Sequence, residues 1–126
     1  MAILGEESKV LQGIREIVTY KLLNDSSVDE TTSTAVDVLD SEAITLLVES
    51  SAGVSGGVVT LEAARTADFA GTWASLGTVT TDAATAVFLL TIDTGDAAGV
   101  PVPFVRARVS TVMTGGTVDA YLIKRR

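Results

Sequence analysis

Residues 104–123, FVRARVSTVMTGGTVDAYLI, restrict the fold of this chain more than any other stretch. Apolar and polar side chains alternate on both sides of Gly115-Gly116, the pattern of strands with one face buried. Adjacent glycines tolerate the positive φ that a tight two-residue turn demands. The stretch therefore predicts a hairpin that pairs Met113 with Val118, Thr111 with Ala120 and Val109 with Leu122. With Ala107, these residues make up the core face. The opposite face carries Arg106, Arg108, Ser110 and Val112 beside Asp119, Tyr121, Ile123 and Arg125.

The same period of two recurs upstream. VVTLEAARTADFAGTWASLGT, from Val58 to Thr78, reads as a strand, a polar connection over 66–71 and a second strand over Thr72–Val79. That second strand holds Trp73, the chain's only tryptophan and large enough to span two sheets. Val87–Ile92 is apolar on both faces, which predicts a central strand covered from two sides. Ile44, Leu46 and Val48 alternate with more polar neighbours, and Ala35–Leu39 reads as a short strand. Ile14–Leu23 has apolar residues at helical spacing as well, but the β-branched and aromatic cluster Ile17-Val18-Thr19-Tyr20 favours a strand. Residues 26–34 read as a polar surface loop, and Asp93-Thr94-Gly95-Asp96 as a turn. Pro101 and Pro103 bracket the start of the next strand, since proline sits at the edge of a ladder and not inside it. The fold class that follows is all-β, an antiparallel β-sandwich of about eight strands, jelly-roll-like. Residues 1–13 read as an N-terminal arm that orders against a partner, and residues 14–126 as one sandwich domain.

Composition removes most chemistry. With no cysteine and no histidine, the chain lacks thiolate nucleophiles, the commonest zinc ligands and the Ser-His-Asp triad. A net charge of −7 argues against direct nucleic-acid binding, which needs a basic face to displace counterions. No apolar run is long enough to span a bilayer, and the first residues lack the basic start and apolar centre of a secretory signal. The expectation is a non-enzymatic protein made in the cytoplasm, with no cofactor, no metal and no membrane association.

The candidate binding residues are therefore surface groups. Arg106 and Arg108 stand two apart on the outward strand face. They fit either an acidic partner surface or cross-strand pairing with Asp119. Tyr121 and Arg125 share that predicted face, and Lys124-Arg125-Arg126 is a basic end on an acidic chain. Phe69, in the connection before Trp73, has no obvious core to enter and is a candidate contact for a partner. The only carboxylate groupings are Asp93 with Asp96, and Asp37 with Asp40 and Glu42. Neither matches the spacing of an EF-hand calcium loop, and neither marks out a glycosidase acid pair.

Four segments resemble a class of small bacteriophage virion proteins: KLLND at 21–25, TAVDV at 34–38, GGVVTLEAARTADFAGTWASLG at 56–77 and FVRARVSTVMTGGTVDAYLI at 104–123. In that class a strand ending in TLE leads through a turn to a tryptophan strand ending in LG, and a VRARV…GGTV hairpin closes the chain. The resemblance covers residues 20–124 and implies a virion β-sandwich: a capsid cement or decoration protein, or a tail or fibre component. It implies the major capsid protein as partner and a homo-oligomer, trimer or dimer. Where the class often has Asp-Gly before the tryptophan, this chain has Asp68-Phe69-Ala70-Gly71.

Overall fold

The structure is a computed structural model that describes residues 6–12, 15–28, 30–93 and 103–125. Expectations placed on residues 1–5, 13, Ile14, Asp96, Pro101 and Arg126 lie outside the described residues, as do Thr94 and Gly95 of the predicted turn. Nine strands are present among the described residues: β1 (Glu6–Gln12), β2 (Arg15–Ser26), β3 (Val36–Asp37), β4 (Ala43–Ser50), β5 (Gly56–Ala64), β6 (Ala74–Thr80), β7 (Val87–Asp93), β8 (Phe104–Thr114) and β9 (Val118–Arg125). They form a five-stranded sheet in the order β1-β2-β9-β4-β7 and a four-stranded sheet in the order β3-β8-β5-β6. Every pairing is antiparallel. From β2 onward successive strands alternate between the sheets, apart from the β5–β6 hairpin, which makes the sandwich a jelly roll.

The core lies between the sheets and is built by alternation. Ile44, Leu46 and Val48 of β4 and Ala120 and Leu122 of β9 face Val59 and Leu61 of β5 and Val105, Ala107 and Val109 of β8, all of them fully buried. Burying a Val, Leu or Ile side chain stabilises the fold by roughly 1.5–3 kcal/mol. Ile17-Val18-Thr19-Tyr20 is a strand, as its β-branched content implies. Within the stretch read as an arm, Glu6–Gln12 pairs along β2.

Four expectations are corrected. Val109 and Leu122 do face the core, but from opposite sheets, so Gly115-Gly116 is a crossover and not a hairpin turn. Alternation tells which side chains point inward and does not tell whether the next strand pairs beside the last or lies across from it. Of the two glycines only Gly115 has positive φ, at 84°. A Cβ there would collide with the carbonyl oxygen of Gly53, while one at Gly116 would meet Ser51 Oγ and a Val54 methyl. The glycines let the β4–β5 turn press against the crossover, where the Thr117 N–H donates to Ser51 Oγ and the Ser51 N–H to the Thr117 carbonyl. Thr111, expected inside, is exposed, because the β5–β8 ladder slips on both sides of Val58.

β7 is an edge strand, not a central one. Phe88, Leu90 and Ile92 pack on the core, whereas Val87 and Leu89 are 58% and 64% exposed. Trp73 is buried but stands outside the sandwich core. It precedes β6 and lies against Arg106, whose neighbours Val105 and Ala107 point inward, so the indole covers the outer face of the four-stranded sheet.

The polar stretch 26–34 does more than loop. The Glu30 and Ser33 N–H groups donate to the Val109 and Ala107 carbonyls, and the Val109 N–H donates to the Thr31 carbonyl. This irregular segment and the short β3 together satisfy the outer edge of β8, which would otherwise expose a row of unpaired backbone groups.

Candidate functional site

The outer face of the four-stranded sheet holds a buried ion-pair cluster. Alternation that sends Val59, Leu61 and Ala63 inward sends Thr60 and Glu62 outward, and register sets Glu62 opposite Arg106 and Thr60 opposite Arg108. The side chain of Glu62 is only 3% exposed. Arg106 Nε donates to its Oε1 at 2.7 Å and Arg108 Nε to its Oε2 at 3.1 Å, so one carboxylate bridges two guanidinium groups. Arg108 Nη1 also donates to Glu30 Oε1 at 2.9 Å. The Glu62 hydrogen bond is the main cause holding Arg108 above the ordinary arginine range, against burial, with the charges of Glu62 and Glu30 adding to it.

The Arg106 guanidinium stacks on the Trp73 ring at 4.2 Å, and Trp73 Nε1 donates to the Phe69 carbonyl at 2.9 Å. Gly71, Thr72 and Trp73 face Glu30, Glu62, Arg106 and Arg108 across a recess of about 270 Å³. With its two arginines already matched by two glutamates, this recess is a clamp on the 65–73 turn, not an open anion site. Its product is the placement of Phe69, which is 46% exposed and lies over Gly71, where any Cβ would enter the ring. Beside Phe69 a second recess of about 300 Å³ runs along Ala63, Arg65, Thr66 and Thr72.

The structure separates Arg106 and Arg108 from Tyr121 and Arg125, which the sequence had placed on one face. Phe69, Arg106 and Arg108 lie on the side of the four-stranded sheet, while Tyr121 and Arg125 lie on the outer face of the five-stranded sheet. The arginines take Glu62 and Glu30 as partners in place of Asp119, which accepts the Asp25 N–H. Of the expected basic end, Lys124 is buried, with Nζ donating to the Asp37 carbonyl and to Asp40 Oδ1, both at 3.0 Å. Arg125 pairs with Glu42 at 3.7 Å. Asp37 Oδ1 accepts the Leu39 N–H, so this carboxylate group is engaged by protein partners. Asp93 is described in its backbone alone. Among the described residues no three His, Cys, Asp or Glu side chains gather as a metal site.

The outer face of the five-stranded sheet is the second candidate surface. Register aligns Tyr121, Leu47 and Leu89 in one row across β9, β4 and β7, and Ile123, Thr45 and Thr91 in the next. Asp119, Glu49 and Val87 form the row at one end, while Arg125 and Ala43 lie in the row at the other. Lys21 Nζ lies over the Tyr121 ring at 5.5 Å on this face, and a recess of about 490 Å³ opens between Ile17, Thr45, Ile123 and Arg125. The sequence carried a signal for it in the two-sided apolarity of Val87–Ile92, which reads equally as burial on both sides or as one uncovered apolar side. Glu62 was missed because its role depends on the β5–β8 pairing, which local alternation does not reveal.

No protein-family model matches the chain, and no curated protein matches it. Among solved structures, the fold is similar to that of an SPBc2 prophage-derived protein, YomS, with a TM-score of 0.61 and 13% identity over 93% of this chain and 99% of that one. It is also similar to the K1 cleaved adhesin domain of Lys-gingipain from Porphyromonas gingivalis W83, with a TM-score of 0.53 and 13% identity over 88% of this chain and 73% of that one.

Proposed function

We propose that this chain is a non-enzymatic structural protein of a bacteriophage virion, assembled in the host cytoplasm and bound to the head shell as a cement or decoration protein. The observation that carries the reading is the similarity in fold to a prophage-derived protein over nearly the full length of both chains. The resemblance at 56–77 supports it, since that stretch forms the paired strands β5 and β6, whereas the closing hairpin of that class is a crossover between sheets here. The partner is the major capsid protein, and Phe69 on its clamped turn is the contact, because aromatic anchors on rigid supports dominate interfaces. Among the described residues the one deeply buried carboxylate, Glu62, is committed to two arginines, which favours a structural role for it over acid–base chemistry.

The likeness to an adhesin domain favours a second reading, a tail-tip or fibre module that binds a carbohydrate or host receptor. Trp73 cannot serve such a module as a stacking platform, being 5% exposed beneath Arg106. Cryo-EM of intact particles separates the two readings. Density for this fold on the capsid lattice is the expected result. Density at the tail, together with binding on a glycan array, would favour the second reading. Absence from every particle would overturn both.

A further inference from the structure

We propose that the outer face of the five-stranded sheet is a two-fold interface between two copies of this chain. The inference does not depend on the virion reading. It starts from the row Tyr121, Leu47 and Leu89, which runs across β9 and β4 to the edge strand β7, where Leu89 is 64% exposed. Tyr121 and Leu47 are half-buried, with Lys21 Nζ 5.5 Å from the Tyr121 ring. Val87, also on β7, is 58% exposed, and exposed apolar side chains gathered on one face mark an association surface.

Size fits a second copy. Five strands about 4.8 Å apart and eight residues long, at about 3.3 Å per residue, make a face on the order of 600 Å². Two such faces bury about 1,200 Å², where specific protein interfaces begin. Sheets also stack on one another by a general rule, face to face with strands within about 30° of alignment.

Charge selects the orientation. On β9, Asp119 stands at one end of the face and Arg125 at the other. A two-fold axis along the strands would set the row of Asp119 and Glu49 against the same acidic row of the second copy. An axis across the strands reverses the rows, so that Asp119 of each copy meets the partner subunit's Arg125 at both ends. The same operation lays the Tyr121–Leu47–Leu89 row over the partner's Ile123–Thr45–Thr91 row. The present contact of Arg125 with Glu42 is loose, at 3.7 Å with both side chains 46% exposed, so the guanidinium can turn to a stronger partner.

Sedimentation equilibrium of the full chain, free of any particle, tests the proposal. The expected result is a dimer whose dissociation constant rises at least about tenfold in Leu89→Lys and in Thr91→Lys, with an unchanged far-ultraviolet CD spectrum. Asp119→Arg and Arg125→Asp should each weaken the dimer, and the double exchange should restore it. A monomer at every concentration, a trimer, or a dimer indifferent to Leu89→Lys would overturn the proposal. Because no particle is present, that outcome is distinct from failure to bind the virion.

Discussion

The indole Nε1 of Trp73 donates a 2.9 Å hydrogen bond to the carbonyl of Phe69. Through it, a buried tryptophan fixes the backbone of a half-exposed phenylalanine. The other side of the indole is held by Arg106, and Arg106 by Glu62, so the turn is anchored through side chains to the end of β5 and the start of β8. Backbone pairing of β5 with β6 stops at Ala63 and Ala74, which leaves these side chains to set the shape of the turn.

Replacing Trp73 by Phe keeps an aromatic ring beneath Arg106 and removes the donor. The expected loss is about 1 kcal/mol, the net worth of one hydrogen bond, with some added cost from the smaller ring. Trp73→Ala removes both and should cost about 3–5 kcal/mol. Urea denaturation followed by CD gives both values, and equal losses in the two variants would mean that the ring contributes nothing beyond its N–H.

Glu62→Gln should destabilise the fold by roughly 2–3 kcal/mol. Removing one member of a fully buried pair costs about 3–5 kcal/mol, but Arg106 and Arg108 are 22% and 26% exposed, so water compensates part of the lost charge. Replacing Glu62 and Arg106 together by Met should recover part of the loss, since well-packed apolar groups match many buried ion pairs. The measurement is the urea midpoint at constant m-value.

Much of the fold was legible in the sequence because burial follows alternation. Ala107, Val109, Met113, Val118, Ala120 and Leu122 were placed correctly on the core side from their period alone. The connection at Gly115-Gly116 was not legible, since a hairpin and a crossover bury the same side chains. From that single ambiguity follow the wrong shared face for Arg106 and Tyr121 and the wrong expected partner for Arg106. Trp73 was legible as buried and not as to which side of the sheet it covers. Its size suited the core, but its place on the outer face is fixed by Arg106 and Glu62, residues distant in sequence whose meeting depends on strand order. Phe69 was read from its place in a turn, where local sequence does decide exposure.

Gly115→Ala should cost more than Gly116→Ala, and at least about 1 kcal/mol, because a Cβ at positive φ is strained whatever room is found for it. At Gly115 the obstacle is the Gly53 backbone; at Gly116 the nearest obstacles are side chains of Ser51 and Val54. A symmetric two-residue hairpin turn would penalise both positions alike. Thermal unfolding of the two single variants distinguishes the crossover from that alternative.

Phe69→Ser tests the docking role apart from the fold. The ring is 46% exposed and rests on Gly71 and not in the core, so stability should fall by no more than about 1 kcal/mol. Affinity for purified particles should fall at least about tenfold if Phe69 is an interface anchor, a loss of 1.4 kcal/mol or more. Tyr121→Ala supplies the control that geometry provides. Tyr121 lies on the opposite sheet, so a partner seated over Phe69 cannot reach it, and its loss should alter self-association while leaving each subunit's contact with the particle intact. Equal loss of particle binding in both variants would place the docking surface elsewhere, because two residues on opposite faces of one sandwich cannot both touch a single capsid surface.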